Sequence, residues 1–407
     1  MGEILFLTHR VPWPPNRGDK IRSHHFLQRL MDCAPVHVAC FAEDEAEAQT
    51  GWARKAELAS CEIVLRTKAR WAGGIEAIFS GQPVSLTCFA SAAIRAYVAD
   101  VIATRPIDCV FIFSGQMAQY IPAAFDGRVV MDFGDVDSAK FESYADDGSG
   151  PMAWINRREG RLLRTFEKDV AERADHSLFV SEAEAGLFRQ RSGLAGDRVK
   201  AVGNGIDLEF YGATDMQPEG LEQSGPMILF TGQMDYQPNI QAVHSFSTQV
   251  MPTILARFPD ARFAIAGRAP TEKVRQLDGR NGTLVIGAVE DIRNWIVAAD
   301  VVVAPLRIAR GIQNKVLEAM AMGRPVVASG CAAEGIDAID GEHFLIAASA
   351  DDEARLVCQL LQNPEQAAKL GERAKRLIHA QYSWETQLAD LPALCGLPVS
   401  AVAEAAA

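Results

Sequence analysis

The chain has 407 residues, of which 48% are apolar and 23% charged, and its formal net charge at pH 7 is −12. This length suffices for two domains of ordinary size, and the apolar share is typical of a globular protein and argues against a disordered chain. A nucleic-acid-binding protein usually carries a positive balance of charge, so the acidic balance argues against that class.

The eight cysteines are scattered and form neither a CxxC pair nor a cluster with zinc-ligand spacing. The first residues show a strand pattern and no basic segment of a signal peptide. No apolar run reaches the roughly 18 residues that a membrane-spanning helix needs. We therefore predict a cytoplasmic protein, with peripheral contact to the inner face of a membrane left open.

The first strand pattern, GEILFLTH, leads through a proline-rich loop into a helix pattern that opens at Gly18 and Asp19. Ligands of doubly wound domains bind at the C-terminal ends of parallel strands, which makes this turn a candidate site. It lacks the GxGxxG spacing of a dinucleotide-binding turn. Strand and helix patterns then alternate, with residues 71–105 mostly helical, and this alternation predicts an α/β domain with a parallel sheet.

An acidic cluster follows the strand pattern RVVMDFGD and contains Asp132, Asp135 and Asp137. The last two form a DxD pair, which can hold a metal ion together with a diphosphate. The same residues also suit polar contacts to a bound sugar or acceptor. Aspartates at strand ends and helix caps are an equally good structural explanation.

A long helix pattern runs from Ala153 to Arg173. We predict that its apolar stripe faces the core and consists of Trp154, Leu162, Leu163, Phe166 and Val170. The other side is basic, with Arg157, Arg158, Arg161, Arg164 and Lys168. Such a helix can rest on anionic lipid, or it can be a solvated face with salt bridges, which is the more common case.

The second half repeats the α/β rhythm after a turn at Asn204 to Asp207. We predict a first domain at 1–207, a linker at 208–225, a second domain at 226–363, C-terminal helices at 364–398 and a tail at 399–407. In the second domain, Gly232 follows the first strand and lets the backbone approach a phosphate. Arg268 follows the next strand and can reach the same place.

The stretch from Ala304 to Ser329 predicts a strand end, a loop, a helix and a second strand. Asn314 is expected to cap the helix. Backbone N–H groups from Gly311 to Gln313 would then face an anion at the helix N-terminus, with Arg310 and Lys315 adding positive charge. This chemistry indicates a phosphate site.

Glu318 lies one turn inside this helix, within an otherwise apolar run. A carboxylate at such a place suits the two hydroxyls of a ribose, as acidic residues do in other nucleotide sites. The alternative is an ordinary βαβ unit with Glu318 on a solvated edge.

The run NKVLEAMAMGRPVV resembles the nucleotide-sugar signature of retaining GT-B glycosyltransferases, the glycosyltransferase group 1 or family 4-like enzymes. The closest resemblance is to the sugar transferases of PEP-CTERM/exosortase-associated exopolysaccharide systems. It extends over most of the chain through RVPWPPNRGDKIRSHHFL, MDFGDVDSAKFESYA and TGQMDYQPN. The resemblance implies two Rossmann-like doubly wound domains facing across a cleft. The first would be on the acceptor side, and the last helices would cross back to it.

The resemblance further implies transfer of a sugar, with retention, from a nucleotide-sugar donor to a hydroxyl of a lipid-linked or growing exopolysaccharide. It implies no metal and no cofactor besides the donor. The donor-binding candidates are Gly18, Asp19, Gly232, Gln233, Arg268, Gly311, Ile312, Gln313, Asn314, Val316 and Glu318. The catalytic candidates are Arg310, Lys315 and Asp135.

Two positions depart from the pattern of that class. Gln233 stands where an arginine grips the diphosphate, and Arg310 stands where a glutamate contacts the donor sugar. A guanidinium donates hydrogen bonds and cannot accept them, so Arg310 cannot inherit the role of that glutamate. These departures leave open a non-catalytic nucleotide-sugar-binding subunit of a polysaccharide assembly complex. A nucleotide-sugar 2-epimerase also stays open, because it shares the fold and would use the same donor site.

Overall fold

The computed structural model describes residues 2–397, except 147, 213–224, 310 and 311. They form two compact units, each built on one parallel sheet. The first unit runs to Val202 and takes in the C-terminal segment from Leu388 onwards, and the second is Gly203–Gln387. Both units contain the parallel α/β architecture that the sequence predicts.

The sheet of the first unit has seven strands in the order β3-β2-β1-β4-β5-β6-β7, and all neighbours are parallel. The strands are β1 Glu3–Thr8, β2 Val36–Ala42, β3 Ser60–Leu65, β4 Ile107–Phe113, β5 Arg128–Gly134, β6 His176–Phe179 and β7 Val199–Ala201. The reversal of strand order beside β1 is the switch point at which ligands of such sheets bind.

Helices cover both faces of this sheet, which explains why strands such as β2 are buried at every position. The helices are α1 Gly18–Met31, α2 Glu45–Ala53, α3 Arg70–Ser80, α4 Val84–Thr87, α5 Ala92–Thr104, α6 Asp137–Asp146, α7 Gly150–Arg173 and α8 Glu182–Ser192. Two short 3₁₀ turns lie at Lys55–Glu57 and Gly115–Tyr120. Phe6 stacks on Phe111 at 5.3 Å between ring centroids, which joins the two central strands in the core.

The sheet of the second unit has six parallel strands in the order β10-β9-β8-β11-β12-β13. They are β8 Met227–Thr231, β9 Arg262–Ala266, β10 Thr283–Gly287, β11 Val301–Ala304, β12 Val326–Ser329 and β13 Leu345–Ala347. The switch point here lies beside β8.

The helices after Gly203 are mostly short in this unit. They are α9 Leu208–Gly212, α10 Gln237–Ser245, α11 Met251–Leu255, α12 Glu272–Arg275, α13 Ile292–Ala298, α14 Asn314–Ala321, α15 Gly330–Ala333, α16 Ala350–Gln362, α17 Pro364–Gln381 and α18 Trp384–Gln387. A π-helical turn, Phe246–Val250, joins α10 to α11. A last helical turn, α19 Leu391–Leu394, belongs to the first unit and packs on α1 there.

The strand–loop–helix segment that contains α14 folds as the sequence predicts. β11 ends at Ala304, α14 begins at Asn314, and Gly323 has the positive φ of 69° that ends a helix. The capping prediction was wrong, because the N-cap is Gln313 and it makes no side-chain cap. Asn314 lies inside the first turn, and its Oδ1 is buried with no hydrogen bond among the described residues.

The two units do not follow the predicted boundaries. Residues Gly203–Asp207 lie in the second unit, where the Ile206 N–H donates to the Tyr382 carbonyl at 2.6 Å. Helix α17 also lies there and packs against α14, so residues 364–398 do not form one block. Most of the predicted linker and the tail lie outside the described residues.

The predicted stripe of α7 is wrong at its first member. Leu163 and Val170 are buried, but Trp154 is 59% exposed. Trp154 lies in the first turns of α7, before the part of the helix that reaches the core.

Asp132 has a structural role, which the sequence offered only as one alternative. Its carboxylate is fully buried and accepts from Arg22 Nε at 2.8 Å and Nη2 at 3.0 Å. Arg22 also donates to the carbonyl of Val202 at 2.9 Å. Burial raises the pKa of Asp132, and the Arg22 charge opposes that rise. The bidentate pair therefore joins α1 to β5. The separate hydrogen bond joins α1 to Val202, where the first stretch of this unit ends.

We predict that Asp132→Asn lowers the free energy of unfolding by about 3–5 kcal/mol, because it leaves the Arg22 charge buried and uncompensated. Urea denaturation followed by circular dichroism measures the loss. Asp135→Asn is the matched control, since Asp135 is exposed and a surface change should stay within about 0.5 kcal/mol. Equal small losses for both variants would contradict a structural ion pair.

Candidate functional site

The candidate site of the second unit lies at the C-terminal ends of β8 and β9. The loops that follow these strands touch: the Gly232 N–H donates to the Ala266 carbonyl at 3.2 Å. A Cβ at Gly267 would lie 1.6 Å from the Gly232 carbonyl oxygen, so only glycine allows this approach. The backbone is thereby left uncovered at the switch point of the sheet.

Lys315 of α14 reaches the same place. Its Nζ donates to Asn239 Oδ1 at 2.8 Å and lies 4.4 Å from the centroid of the Phe230 ring. Asn239 is buried, and its Nδ2 donates to the Gln233 carbonyl at 2.8 Å. A Cβ at Gly232 would lie 3.1 Å from Lys315 Nζ, so the glycine also leaves room for the ammonium group. A cation therefore stands beside an open glycine turn.

Burial lowers the pKa of Lys315 to about 8, and the negative charge of Glu318 opposes the fall. The hydrogen-bond partner of the ammonium among the described residues is a neutral amide, which does not compensate its charge. An anion bound beside Lys315 would favour the protonated form and raise this pKa again.

Glu318 lies on the same helix, one turn after Lys315. Its carboxylate accepts a hydrogen bond from the Tyr211 hydroxyl of α9. Burial raises the pKa of Glu318, while the Tyr211 hydrogen bond and Lys315 lower it. Burial and the Glu318 charge also raise the pKa of Tyr211, so its hydroxyl stays a donor. A carboxylate has about four acceptor positions, and further hydroxyls can bind it.

The remaining predicted donor-binding residues lie in the first turn of α14 or just before it. Ile312, Gln313 and Asn314 are partly exposed there, and the helix axis directs N–H groups outward. Arg310 and Gly311 lie outside the described residues, so their predicted roles stay predictions. Val316 is a correction: its side chain is fully buried in the core and its N–H donates to the Gln313 carbonyl, which leaves nothing for a ligand.

Gln233 and Arg268 lie at the mouth of the same turn, and both are exposed. The Met234 N–H donates to the Arg268 carbonyl at 2.8 Å, which joins the two loops a second time. The predicted residues Gly232, Gln233, Arg268 and Lys315 thus lie around one switch point. Their binding roles stay predictions.

In the first unit, Asp19 lies among basic side chains near the end of β1. Its carboxylate lies 3.3 Å from His9 Nε2, 2.8 Å from Arg10 Nε and 3.0 Å from Arg17 Nε. Burial opposes its ionisation, but the hydrogen bond and charge of His9, with both arginines, lower the pKa of Asp19 to about 2. Asp19 is therefore an anion that holds two arginines and a histidine in place, and the two arginines suit a negatively charged or hydroxylic ligand better than Asp19 does.

Gly18 begins α1, and a Cβ there would meet no atom within 4 Å, so the helix start is open. Asp135 is exposed in the loop after β5, and Asp137 begins α6 and lies 4.0 Å from Lys140. In the described part of the chain, no group of three His, Cys, Asp or Glu side chains has metal-binding geometry. The catalytic role of Asp135 stays a prediction.

Sequence reasoning missed Asn239, Tyr211 and His9. Asn239 is the last residue of TGQMDYQPN, and its place just after the glycine turn in that stretch was the available signal. Nothing in the local sequence connects Tyr211 to Glu318, because the contact spans more than a hundred residues.

A cavity of about 490 Å³ in the second unit has Tyr211 in its lining, together with Pro226, Asp300 and Pro325 among others. The last three residues precede β8, β11 and β12, so they place the cavity at the N-terminal edge of the sheet. Ligands of doubly wound sheets bind at the opposite edge.

Residues 225–363 match the sequence model of the family described as glycosyl transferases group 1. The match covers the part of the second unit that holds Gly232, Lys315 and Glu318. A phosphatidyl-myo-inositol mannosyltransferase of Mycolicibacterium smegmatis is 24% identical over 315 residues, covering 69% of this chain and 80% of that protein.

Solved structures resemble the chain over almost its full length. Sucrose-phosphate synthase from Thermosynechococcus elongatus has a TM-score of 0.70 at 18% identity and covers 97% of this chain and 98% of its own. Anabaena HepE in complex with UDP has a TM-score of 0.70 at 16% identity, with coverage of 96% and 98%.

The two parallel sheets and these neighbours show the GT-B fold, and the second unit contains the region that matches the group 1 glycosyl transferases. Relatives of the chain include proteins that are named phosphatidyl-myo-inositol mannosyltransferases. In the described residues, no helix combines the length and apolar character needed to cross a membrane.

Proposed function

We propose that this protein transfers a sugar, with retention of configuration, from a nucleotide-sugar donor to a hydroxyl of a lipid-linked or growing exopolysaccharide. The observation that carries the proposal is the Lys315 ammonium held by Asn239 beside the open glycine turn after β8. This turn lies within the region that matches group 1 glycosyltransferases.

The diphosphate of the donor would bind at this turn. Lys315 has a neutral partner and a pKa lowered to about 8, so a bound anion would stabilise its charge. The α14 N-terminus adds backbone donors, and together they would stabilise the departing diphosphate without a metal ion. The complex of Anabaena HepE with UDP supports a donor of this kind.

Glu318 would bind the ribose hydroxyls of the same donor. Tyr211 takes one acceptor position of the carboxylate and fixes its orientation. The remaining positions can accept from the two neighbouring hydroxyls of a ribose. Arg310 would contact the diphosphate and so replace the arginine that Gln233 does not supply.

Two observations support the proposed acceptor. The resemblance in the first half of the chain points to exopolysaccharide synthesis, and a relative is named for a phospholipid acceptor. In both cases the acceptor would be a hydroxyl on a lipid-linked molecule. The cations around Asp19 and the exposed Asp135 would meet the acceptor in the first unit.

The direct test is product analysis with purified protein, a panel of nucleotide sugars and lipid-linked oligosaccharides, read by mass spectrometry and NMR. We expect a new glycoside with the anomeric configuration of the donor. An epimerised donor would replace the proposal with a 2-epimerase, and an unchanged donor that still binds would indicate a non-catalytic subunit. We expect the same product in EDTA. Loss of product in EDTA that manganese restores would instead support a metal at Asp135 and Asp137.

The titration of Lys315 gives a second prediction. Its charge is present below pH 8 and lost above it, so nucleoside diphosphate affinity should fall about tenfold between pH 7 and pH 9 when only the charged form binds. Calorimetry with UDP and GDP as probes measures this. Lys315→Arg should bind with little loss at pH 9, because arginine stays protonated. An identical pH profile in wild type and variant would exclude Lys315 as the diphosphate contact.

The proposed contact between Glu318 and the ribose is tested by comparing the affinities for a nucleotide and for its 2′-deoxy analogue. Glu318→Gln should lose about 10- to 150-fold in affinity for the preferred nucleoside diphosphate, the range for hydrogen bonds to a charged group. The loss should shrink for the 2′-deoxy analogue, which lacks one partner. Glu365→Gln, an exposed change at the start of α17, is the control. An equal loss for both nucleotides would mean that Glu318 acts through structure and does not touch the ribose.

A further inference from the structure

Helix α3 in the first unit turns its large apolar side chains outward. The exposed fractions are 73% for Trp71, 49% for Ile75, 64% for Ile78 and 87% for Phe79. The spacing of i, i+4, i+7 and i+8 places all four on one face of the helix. Such a face is normally buried, so its exposure needs an explanation.

The packing of α3 fixes this orientation. On the opposite face, Ala77 is fully buried, and a Cβ at Gly73 would lie 2.4 Å from Cys88 Sγ, just after α4. Thr87 Oγ1 also donates to the Gly73 carbonyl at 2.8 Å. The small residues face inward because only they fit against α4. The large residues are therefore held in solvent by the fold.

The start of α7 continues the apolar surface. Met152 is 62% exposed, Trp154 59% and Ile155 39%. Arg158 of α7 donates to the Ala77 carbonyl at 2.6 Å and to the Gln82 carbonyl at 3.3 Å, both at the C-terminal end of α3. Trp154 lies one turn before Arg158 on the same side of α7, so it adjoins the end of α3. We name these six side chains the apolar patch: Trp71, Ile75, Ile78, Phe79, Trp154 and Ile155.

Positive charge borders the apolar patch. Arg157 and Arg161 lie three and seven residues after Trp154, on the same side of α7, and both are exposed. Within the described part of the chain, neither side chain forms an ion pair or a hydrogen bond. Glu76, the acidic residue of α3, is neutralised by Lys68. The border is thus cationic, although the whole chain carries a net charge of −12.

We propose that the apolar patch docks on the surface of a bilayer that contains anionic lipid. Tryptophan and phenylalanine side chains favour the boundary between headgroups and acyl chains, and isoleucine favours the acyl region. Arg157 and Arg161 would meet lipid phosphates in the plane of the headgroups. Charge complementarity selects this partner, because a purely apolar protein partner would leave the two guanidinium groups without anions.

The test is co-sedimentation of the full chain with vesicles of phosphatidylcholine alone or with 30% phosphatidylglycerol, without nucleotide and without acceptor. Because no sugar transfer is involved, the result does not depend on the proposed function. We expect binding to the anionic vesicles, weaker binding to the neutral ones, and a decrease with salt. Trp71→Ser with Phe79→Ser should reduce the partition coefficient at least tenfold. Arg157→Ala with Arg161→Ala should reduce it on anionic vesicles only.

Ile339→Ser is the matched control, since Ile339 is 59% exposed in the second unit. The substituted side chains are solvent-exposed, so all variants should keep the wild-type melting temperature. Absence of binding to anionic vesicles, or binding that the patch variants leave unchanged, overturns the proposal. A dimer in gel filtration that the patch variants dissociate, without vesicle binding, would assign the patch to a second copy of the chain instead.

Discussion

The close contact between the loops after β8 and β9 is the constraint on which the candidate site depends. Gly267 can carry no Cβ because the Gly232 carbonyl occupies that space, and Gly232 in turn leaves room for Lys315 and Asn239. A larger residue at either position would push the loops apart or displace the ammonium group. The two glycines thus set the width of the site, and the cation, the amide and the α14 N-terminus lie around that fixed opening.

The regular elements around this opening could be read from the sequence because their signals are local. The valine run of β11, the apolar face of α14 and the stop at Gly323 each follow from a few neighbouring residues. The wrong predictions have two sources: the exact residue at which the helix begins, and burial that depends on residues distant in sequence. Asn314 was expected to cap α14 and does not, and Val316 was taken for a ligand contact although its burial depends on the whole sheet.

The same limit applies to the contacts that the sequence did not reveal. Asp132 belongs to an acidic cluster by sequence, and only the fold brings Arg22 to it. Tyr211 and Glu318 come together across the second unit. On α3, the residues Trp71 and Phe79 have the periodicity of a buried face, and local pattern cannot tell which face meets the core. Gly73 and Ala77 decide which face of α3 packs inward, because they fit where the larger residues cannot.

Asp132 and Lys315 show how an ion with a charged partner differs from an ion with a neutral hydrogen-bond partner. Asp132 is matched by a bidentate guanidinium, so its desolvation is offset inside the protein and no ligand is needed. Lys315 is held by a neutral amide and an aromatic face, and burial lowers its pKa to about 8, which means that the folded protein disfavours its charge. The charge of Glu318, one turn further along the helix, opposes this fall but does not cancel it. An arriving anion would stabilise this charge, and the open glycine turn beside Lys315 leaves space for one, so the pair is a candidate anion site.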